Sequence, residues 1–417
     1  MKRWLLLGII FVSVICSAGC EERTQKKEEL TVVAELEYEV EVKAAAAYYQ
    51  EKNPGAFVNV EFLPKEETTR RNVLQKKRTD IMSGKGADVF FLSCNIEIAE
   101  GYEEPLLENV NKSIESGIFT SLDYYMDQDD YWKSGSYHKK LLEAGQMKGR
   151  QYVIPLACNY FVYVGPEDSV IEGKTLWDWM DETGTSGRKE LTEGTVFGLG
   201  IMNARWQQPA VNYEEKEVLF DPDKWSKFML EYLAYWQRSH EEEAGGADVY
   251  AVANICTLPD QLTGQETKAN CQIVPDLNGN KMAAVSTYGA VAMASENKEA
   301  AYDFLMLFLN GEIEKEKGAS YAGLWYGGTR GAPVEENAWE SFMDIHYILN
   351  EATRENVVNS FRELDGAYFP GETEQKLYDA GDELILPGRE MSGEEIQELV
   401  HKAADRAKEQ YSMIVRE

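Results

Sequence analysis

Gly149-Arg-Gln-Tyr-Val-Ile-Pro-Leu-Ala-Cys-Asn-Tyr-Phe-Val-Tyr-Val-Gly165 reads as a polar turn, an apolar strand carrying a proline, a short polar island and a second apolar strand. The island is Cys158, Asn159 and Tyr160, and the second strand is Phe161 to Val164. If the two strands belong to different sheets, the island lies at the floor of a cleft between two lobes. There a few polar groups can converge on a small ligand. The stretch is therefore expected to be the first passage of the chain from one lobe to another.

Upstream, the pattern is strand, helix, strand, helix, strand. Leu30 to Leu36 is an apolar, β-branched run, and Glu37-Tyr38-Glu39 follows as a short turn. A helix is expected from about Val40 to Lys52, stopped by Asn53-Pro54-Gly55. Phe57 to Leu63 alternates as a strand, a second helix runs from about Glu66 to Ser83, and Ala87 to Leu92 is the third strand. This βαβαβ order implies a parallel sheet with right-handed crossovers, whose ligands bind beyond the carboxyl ends of the strands. Glu37-Tyr38 and Ser93-Cys94-Asn95 lie at such ends. Lys76-Lys77-Arg78 reads as a solvated helix face, and Asp127-x-Asp129-Asp130 as a helix cap, since the glycine and terminal glutamate of a calcium loop are missing.

Downstream, Thr175-Leu-Trp-Asp178 has the form of a capping box. Thr192 to Met202 is strand-like and leads to Asn203-Ala204-Arg205-Trp206. Asp221-Pro222 opens a helix whose Trp225, Phe228, Met229, Tyr232, Leu233 and Trp236 form one stripe, read as core packing. Ala283 to Ala294 repeats the strand-island-strand pattern around Ser286-Thr287-Tyr288-Gly289 and is expected to be a second crossing. The glycine-rich Leu324 to Pro333 is a third. Asn297 is expected to cap one helix, and Ser392-x-x-Glu395 to open the last.

The chain has 417 residues, 44% of them hydrophobic and 11% aromatic, which calls for more than one core and excludes general disorder. With 72 acidic and 42 basic residues the net charge is −30, so phosphate backbones and anionic headgroups are repelled and nucleic acid is excluded as a partner. At the amino terminus Lys2 and Arg3 precede an apolar run from Trp4 to Cys16, then Ser17-Ala18-Gly19-Cys20 and three charged residues. That run is too short for a spanning helix and matches a bacterial export signal. Two readings stay open: a lipoprotein signal with Cys20 lipidated, and a secreted chain cut at a small-residue site.

Outside the cell an even number of remaining cysteines suggests disulfides. Cys256 and Cys271 close a short polar segment and are expected to pair, while Cys94 and Cys158 are small buried residues or a second pair. No cysteine or histidine spacing suits a metal, and no cofactor motif is present.

Six features in order resemble the family-1, maltose-binding-like extracellular solute-binding proteins of ABC importers. They are Cys20 with its lipobox-like approach; the first strand and the helix ending Glu51-Lys52-Asn53-Pro54-Gly55; Gly84-Lys85-Gly86-Ala87-Asp88-Val89; Gly149 to Tyr152 with Pro155; the 283–309 run with Asn297-Lys298-Glu299-Ala300-Ala301; and Gly331-Ala332-Pro333. The resemblance spans about Thr31 to Pro333. It implies an α/β, two-lobe periplasmic-binding-protein-like fold of type II. Each lobe would be a mixed, mainly parallel sheet flanked by helices, and hinge strands would join the two. Residues 1–19 would be the lipoprotein signal peptide and 20–29 a tether. Residues 30–157 with 289–330 would form lobe 1, and 158–288 with 331–417 lobe 2.

The resemblance further implies an importer subunit with no catalysis and no cofactor. It would be anchored by Cys20 to the outer face of the bacterial membrane, act as a monomer, and deliver a carbohydrate to permease subunits. Carried over by position, the ligand contacts would be Glu37, Tyr38, Asn95, Asn159, Tyr160, Trp206, Tyr288, Trp325 and Arg330. Amides and carboxylates meet hydroxyls, and aromatic faces meet the C–H face of a sugar. A polyamine or other cation is the variant suggested by the acidic surface, and a surface glycoside hydrolase the alternative from another class.

Overall fold

The computed structural model describes residues 29–94, 104–185, 198–240, 251–255, 268–310, 331–346, 349–385 and 391–416. Its first part is β1 (Glu29–Glu35), α1 (Glu39–Lys52), β2 (Phe57–Leu63), α2 (Glu67–Met82) and β3 (Val89–Ser93). β1 is central, pairing in parallel with both β2 and β3. Covered on both faces, it carries buried Leu30, Val32, Val33 and Ala34, as a central parallel strand must. Local chemistry sets the helix ends. Glu66 caps α2 by accepting from the amides of Thr68 and Thr69. Past α1, Gly55 takes the left-handed φ of 104° that the return into β2 requires.

Short helices follow: α3 (Val110–Glu115), α4 (Asp123–Met126), α5 (Asp130–Ser134) and α6 (Lys139–Leu142), then the small hairpin β4 (Gln146–Met147) and β5 (Arg150–Gln151). Asp129 is the cap of α5, accepting from the amides of Tyr131 and Trp132. The Lys76–Arg78 run is less solvated than expected. Lys77 pairs with Glu61, and Arg78 holds Glu104 and the carbonyls of Pro105 and Leu106. Helix α2 therefore pins the chain that follows β3.

β6 (Val153–Asn159) and β7 (Phe161–Pro166) lie in different sheets. The larger, seven-stranded sheet runs β13 (Ala332–Pro333), β6, β12 (Met282–Val291), β3, β1, β2, with β14 (Gly366–Tyr368) beside β12; the smaller runs β10 (Ala251–Asn254), β7, β11 (Ala269–Ile273). Between β7 and the return to the larger sheet come α7 (Leu176–Thr185), the hairpin β8 (Val211–Asn212) and β9 (Glu217–Val218), α8 (Pro222–His240), β10 (Ala251–Asn254) and β11 (Ala269–Ile273). Thr175 and Asp178 bond each other's amides reciprocally, so the capping box forms. Asp221 caps α8 through the amides of Asp223 and Lys224. Residues 198–201, expected as the end of a strand, are helical, and 192–197 lie outside the described residues. The smaller sheet is antiparallel in both of its described pairings, where a mainly parallel one was expected.

β12 (Met282–Val291) corrects the second expected crossing. Instead of two strands around an island, it is one strand of the larger sheet, antiparallel to both β6 and β3. Ser286 and Thr287 sit at a register irregularity against β6. Their polar groups are satisfied in place, because the Cys94 amide donates to the Ser286 carbonyl and the Thr287 hydroxyl bonds the Tyr38 hydroxyl at 2.7 Å. The chain has already returned from the smaller sheet between β11 and β12.

The remainder is α9 (Lys298–Met306), β13 (Ala332–Pro333), α10 (Glu336–His346), α11 (Glu351–Arg362), β14 (Gly366–Tyr368), α12 (Glu372–Ile385) and α13 (Gly393–Arg416). Of the third expected crossing, Leu324 to Pro333, residues 324–330 lie outside the described residues, and its end, β13, pairs with β6 of the larger sheet. Asn297 occupies the N-cap position of α9, but its side chain reaches the Glu29 carbonyl instead of the helix. Ser392 and Glu395 form the reciprocal box of α13.

Two buried apolar clusters result. One fills the larger sheet and its helices, and the other holds Trp179, Trp206, Trp225, Phe228 and Tyr232 with α12 and α13. β7 stands between them: Val162 and Val164 belong to the first, Phe161 and Tyr163 to the second. Alternation along a single strand thus joins the cores of the two lobes.

Candidate functional site

The carboxyl ends of β1 and β3 and the junction between β6 and β7 face the same region. Cys158 pairs across β12 with Val285, and Cys94 bonds the next residue, Ser286, from the other side. The two cysteines thus flank one strand at a separation of about two strand spacings, roughly 9.5 Å. A disulfide needs Cα atoms within about 7 Å, and both thiols are free. Burial pushes both well above the ordinary thiol range, so neither is a ready nucleophile. Cys271 is also a free thiol, which corrects the expected Cys256–Cys271 bridge; Cys256 itself lies outside the described residues.

Asn159 closes β6 and is half-buried at the junction. Its carbonyl accepts from Arg205 Nη1 at 2.9 Å, and the guanidinium lies 4.9 Å from the Phe161 ring centroid. Arg205 belongs to a 3₁₀ turn at Asn203–Arg205 in the second lobe, so a buried cation from one lobe grips the last residue of the other's strand. Sequence reasoning chose its neighbour Trp206 instead. Arg205 is the one charged residue between Glu193 and Glu214, and that was the available signal.

Trp206 is core. It packs against Trp225, Phe228 and Tyr232 and donates its indole N–H to the Leu199 carbonyl, so no face is left for a ligand. Three tyrosines share that correction. Tyr38 is buried edge-on to Phe91, with its hydroxyl on Thr287. Tyr160 is buried, its hydroxyl 3.3 Å from Ser360 and its carbonyl accepting from Ile255. Tyr288 is buried mid-strand against Phe369. Glu37, by contrast, is half-buried in the turn after β1. Asn95, Trp325, Arg330 and Cys20 lie outside the described residues.

The acid nearest the end of β1 is neutralised. Glu35 takes a two-pronged contact from Arg70 at 2.8 and 3.0 Å, and Arg70 also holds the carbonyls of Pro64 and Glu104. Both side chains are almost fully buried, a pairing in which charge and hydrogen bonds are matched.

A cavity of about 410 Å³ lies between α2, α3 and the start of α12, and includes Tyr213 and Tyr411 of the second lobe. Its buried acid is Glu374, which accepts from the Tyr411 hydroxyl at 2.8 Å and the Gly371 amide at 2.9 Å. Burial raises its pKa above the ordinary carboxylate value. Among the described residues, none of the contacts expected from the sequence lines this cavity. Among the described residues no cluster suits a metal ion, and no helix is long and apolar enough to cross a membrane.

No protein-family model matches the chain, and no curated protein sequence matches it. Solved structures do. An ABC substrate-binding protein from Listeria monocytogenes, in complex with cycloalternan, is 15% identical; the match covers 92% of this chain and 99% of that one at a TM-score of 0.55. An extracellular solute-binding protein of family 1 from Alicyclobacillus acidocaldarius is 13% identical over 93% and 98%, with a TM-score of 0.56. The sugar-binding protein MalE from Xanthomonas citri is 13% identical over 93% and 100%, also at 0.56. The chain shares their two-lobe α/β fold.

Proposed function

We propose that this chain is the extracytoplasmic substrate-binding component of an ABC importer. It captures an oligosaccharide between its lobes and hands it to permease subunits, without catalysis. The observation that carries the reading is the sheet switch at Asn159–Tyr160, within a fold matched almost end to end by solute-binding proteins. A junction of this kind is where two lobes close on a ligand. Asn159 and Glu37 are the described polar side chains suited to hydroxyls, with Asn95, Trp325 and Arg330 as further candidates from the sequence. Cys20 is the proposed lipid attachment, holding a monomer to the outer face of the cell membrane.

A cationic ligand such as a polyamine is the competing reading, favoured by Glu108, Glu372 and Glu374 on the 410 Å³ cavity and opposed by Arg78 and Lys112 on the same wall. Titrating the purified mature chain with a panel of malto-, manno- and cyclic oligosaccharides beside spermidine decides between them. Saturable change in tryptophan fluorescence with a saccharide and none with spermidine is expected. The reverse pattern assigns the cation, and release of shortened glycan overturns the non-catalytic reading.

A further inference from the structure

Two buried carboxylates stand where the lobes meet, and their surroundings differ. Glu35 at the end of β1 is gripped by the Arg70 guanidinium. Glu374, in the first turn of α12, is 8% exposed and receives neutral donors: the Tyr411 hydroxyl at 2.8 Å and the Gly371 amide at 2.9 Å. Among the described residues no cation is bonded to it. The amides of the first turn favour the anion, but burial outweighs them, so the group is held as the neutral acid.

The charged neighbours are already committed elsewhere. Across the cavity, Arg78 pairs with Glu104 and Glu108, and Lys112 with Glu115. On α12 itself Lys376 pairs with Glu372. The other titratable groups facing Glu374 are the phenols of Tyr213 and Tyr411 and the Cys94 thiol, each pushed by burial above its ordinary range and so neutral.

Glu374 lies in the seam between the lobes. It lines two cavities, of about 410 and 120 Å³, together with Tyr213 and Phe369. Both cavities take walls from each lobe: the smaller sets Asn111 and Ala144 of the first against Pro209 and Val211 of the second. The β8–β9 hairpin closes the seam. Asn109 Nδ2 donates to the Tyr213 hydroxyl at 2.9 Å, the Lys148 amide donates to Glu214 at 2.6 Å, and Lys216 pairs with Glu115 at 3.3 Å. The last two contacts are at the surface, where water replaces them at small cost.

We propose that the seam at Tyr213 and Glu374 is a proton-operated latch: docked lobes hold Glu374 as the neutral acid, and parting them hydrates the carboxyl and releases its proton. Its pKa is raised from the ordinary 4.5 in the docked arrangement and falls back towards that value when the lobes part. Docking is therefore fully supported below pH 4.5 and loses support as the pH rises from there through the raised value. The inference concerns lobe docking without ligand, so its failure leaves the proposed oligosaccharide untouched.

Small-angle X-ray scattering of the ligand-free chain, at fixed ionic strength from acid to mildly alkaline pH, tests it. The radius of gyration of the unsubstituted chain should rise with pH, while Glu374→Gln, neutral at every pH, should stay close to the acid value. Overall repulsion in a chain of net charge −30 also grows with pH, and the Gln variant retains it. An equal rise in both chains therefore overturns the latch, and so does a constant radius in the unsubstituted chain. Tyr213→Phe keeps the buried carboxyl but loses the bond to Asn109, and should move the midpoint of the rise to lower pH by about 0.5 to 1 unit. An unmoved midpoint overturns the latch as well, and this arm decides the matter if the Gln variant does not fold.

Discussion

Residues 149–165 and 283–294 read alike as apolar run, polar island, apolar run, yet they do opposite things. At the first, one residue separates strands of two sheets, and a cation from the second lobe holds the carbonyl where the chain changes over. At the second, the island stays inside one strand and its polar groups pair with neighbouring strands and the first turn. A polar island is thus an opportunity to leave a sheet, and the hydrogen-bond partners on offer decide whether the chain does so.

If β12 is structural throughout, Tyr288→Ala should cost about 3 to 5 kcal/mol by emptying a filled core site against Phe369. Urea unfolding measures it. A stable variant with weakened ligand binding would return Tyr288 to the site and erase the contrast. Arg205→Met removes a charge-assisted bond across the junction, and a loss of about 1.5 to 3 kcal/mol in the same assay is expected. No loss would mean that the junction holds without it.

Gly289→Val drives a side chain into Leu305, itself buried on α9, and overpacking of this kind costs about 1 to 3 kcal/mol. A neutral result would show that β12 can flex at its island as the first stretch does. Asn159→Ala should leave the unfolding midpoint nearly unchanged and weaken ligand affinity about tenfold, or 1.4 kcal/mol, by calorimetry. Unchanged affinity removes Asn159 from the site. The smallest effect belongs to Tyr160→Phe, which gives up a long hydroxyl contact to Ser360 for about 1 kcal/mol with affinity intact. A drop in affinity there would make the island a two-residue contact.

Much of the fold was legible. The first five elements, the box at Thr175 and Asp178, the cap at Asp221, the aromatic stripe of α8 and the box at Ser392 and Glu395 formed where the sequence predicted. Of the predicted contacts, the half-buried Glu37 and Asn159 stay at the region where the strand ends meet, while Tyr38, Tyr160, Trp206 and Tyr288 turned inward. An aromatic residue near a strand end satisfies a sugar-site pattern and a core pattern equally well. Only neighbours distant in sequence separate the two: Phe91 for Tyr38, Phe369 for Tyr288 and α8 for Trp206.

The sequence alone determined what depends on a few adjacent residues. Helix starts and stops, strand periodicity, the −30 charge and the export-like amino terminus are of this kind. Tertiary structure decided which sheet each strand joins, which island is a junction and which arginine closes it. Those outcomes rest on bonds such as Tyr38 to Thr287, 249 positions apart. Short-range propensity carries no information about such partners, because the free energy that selects them is released only when segments distant in sequence have packed together.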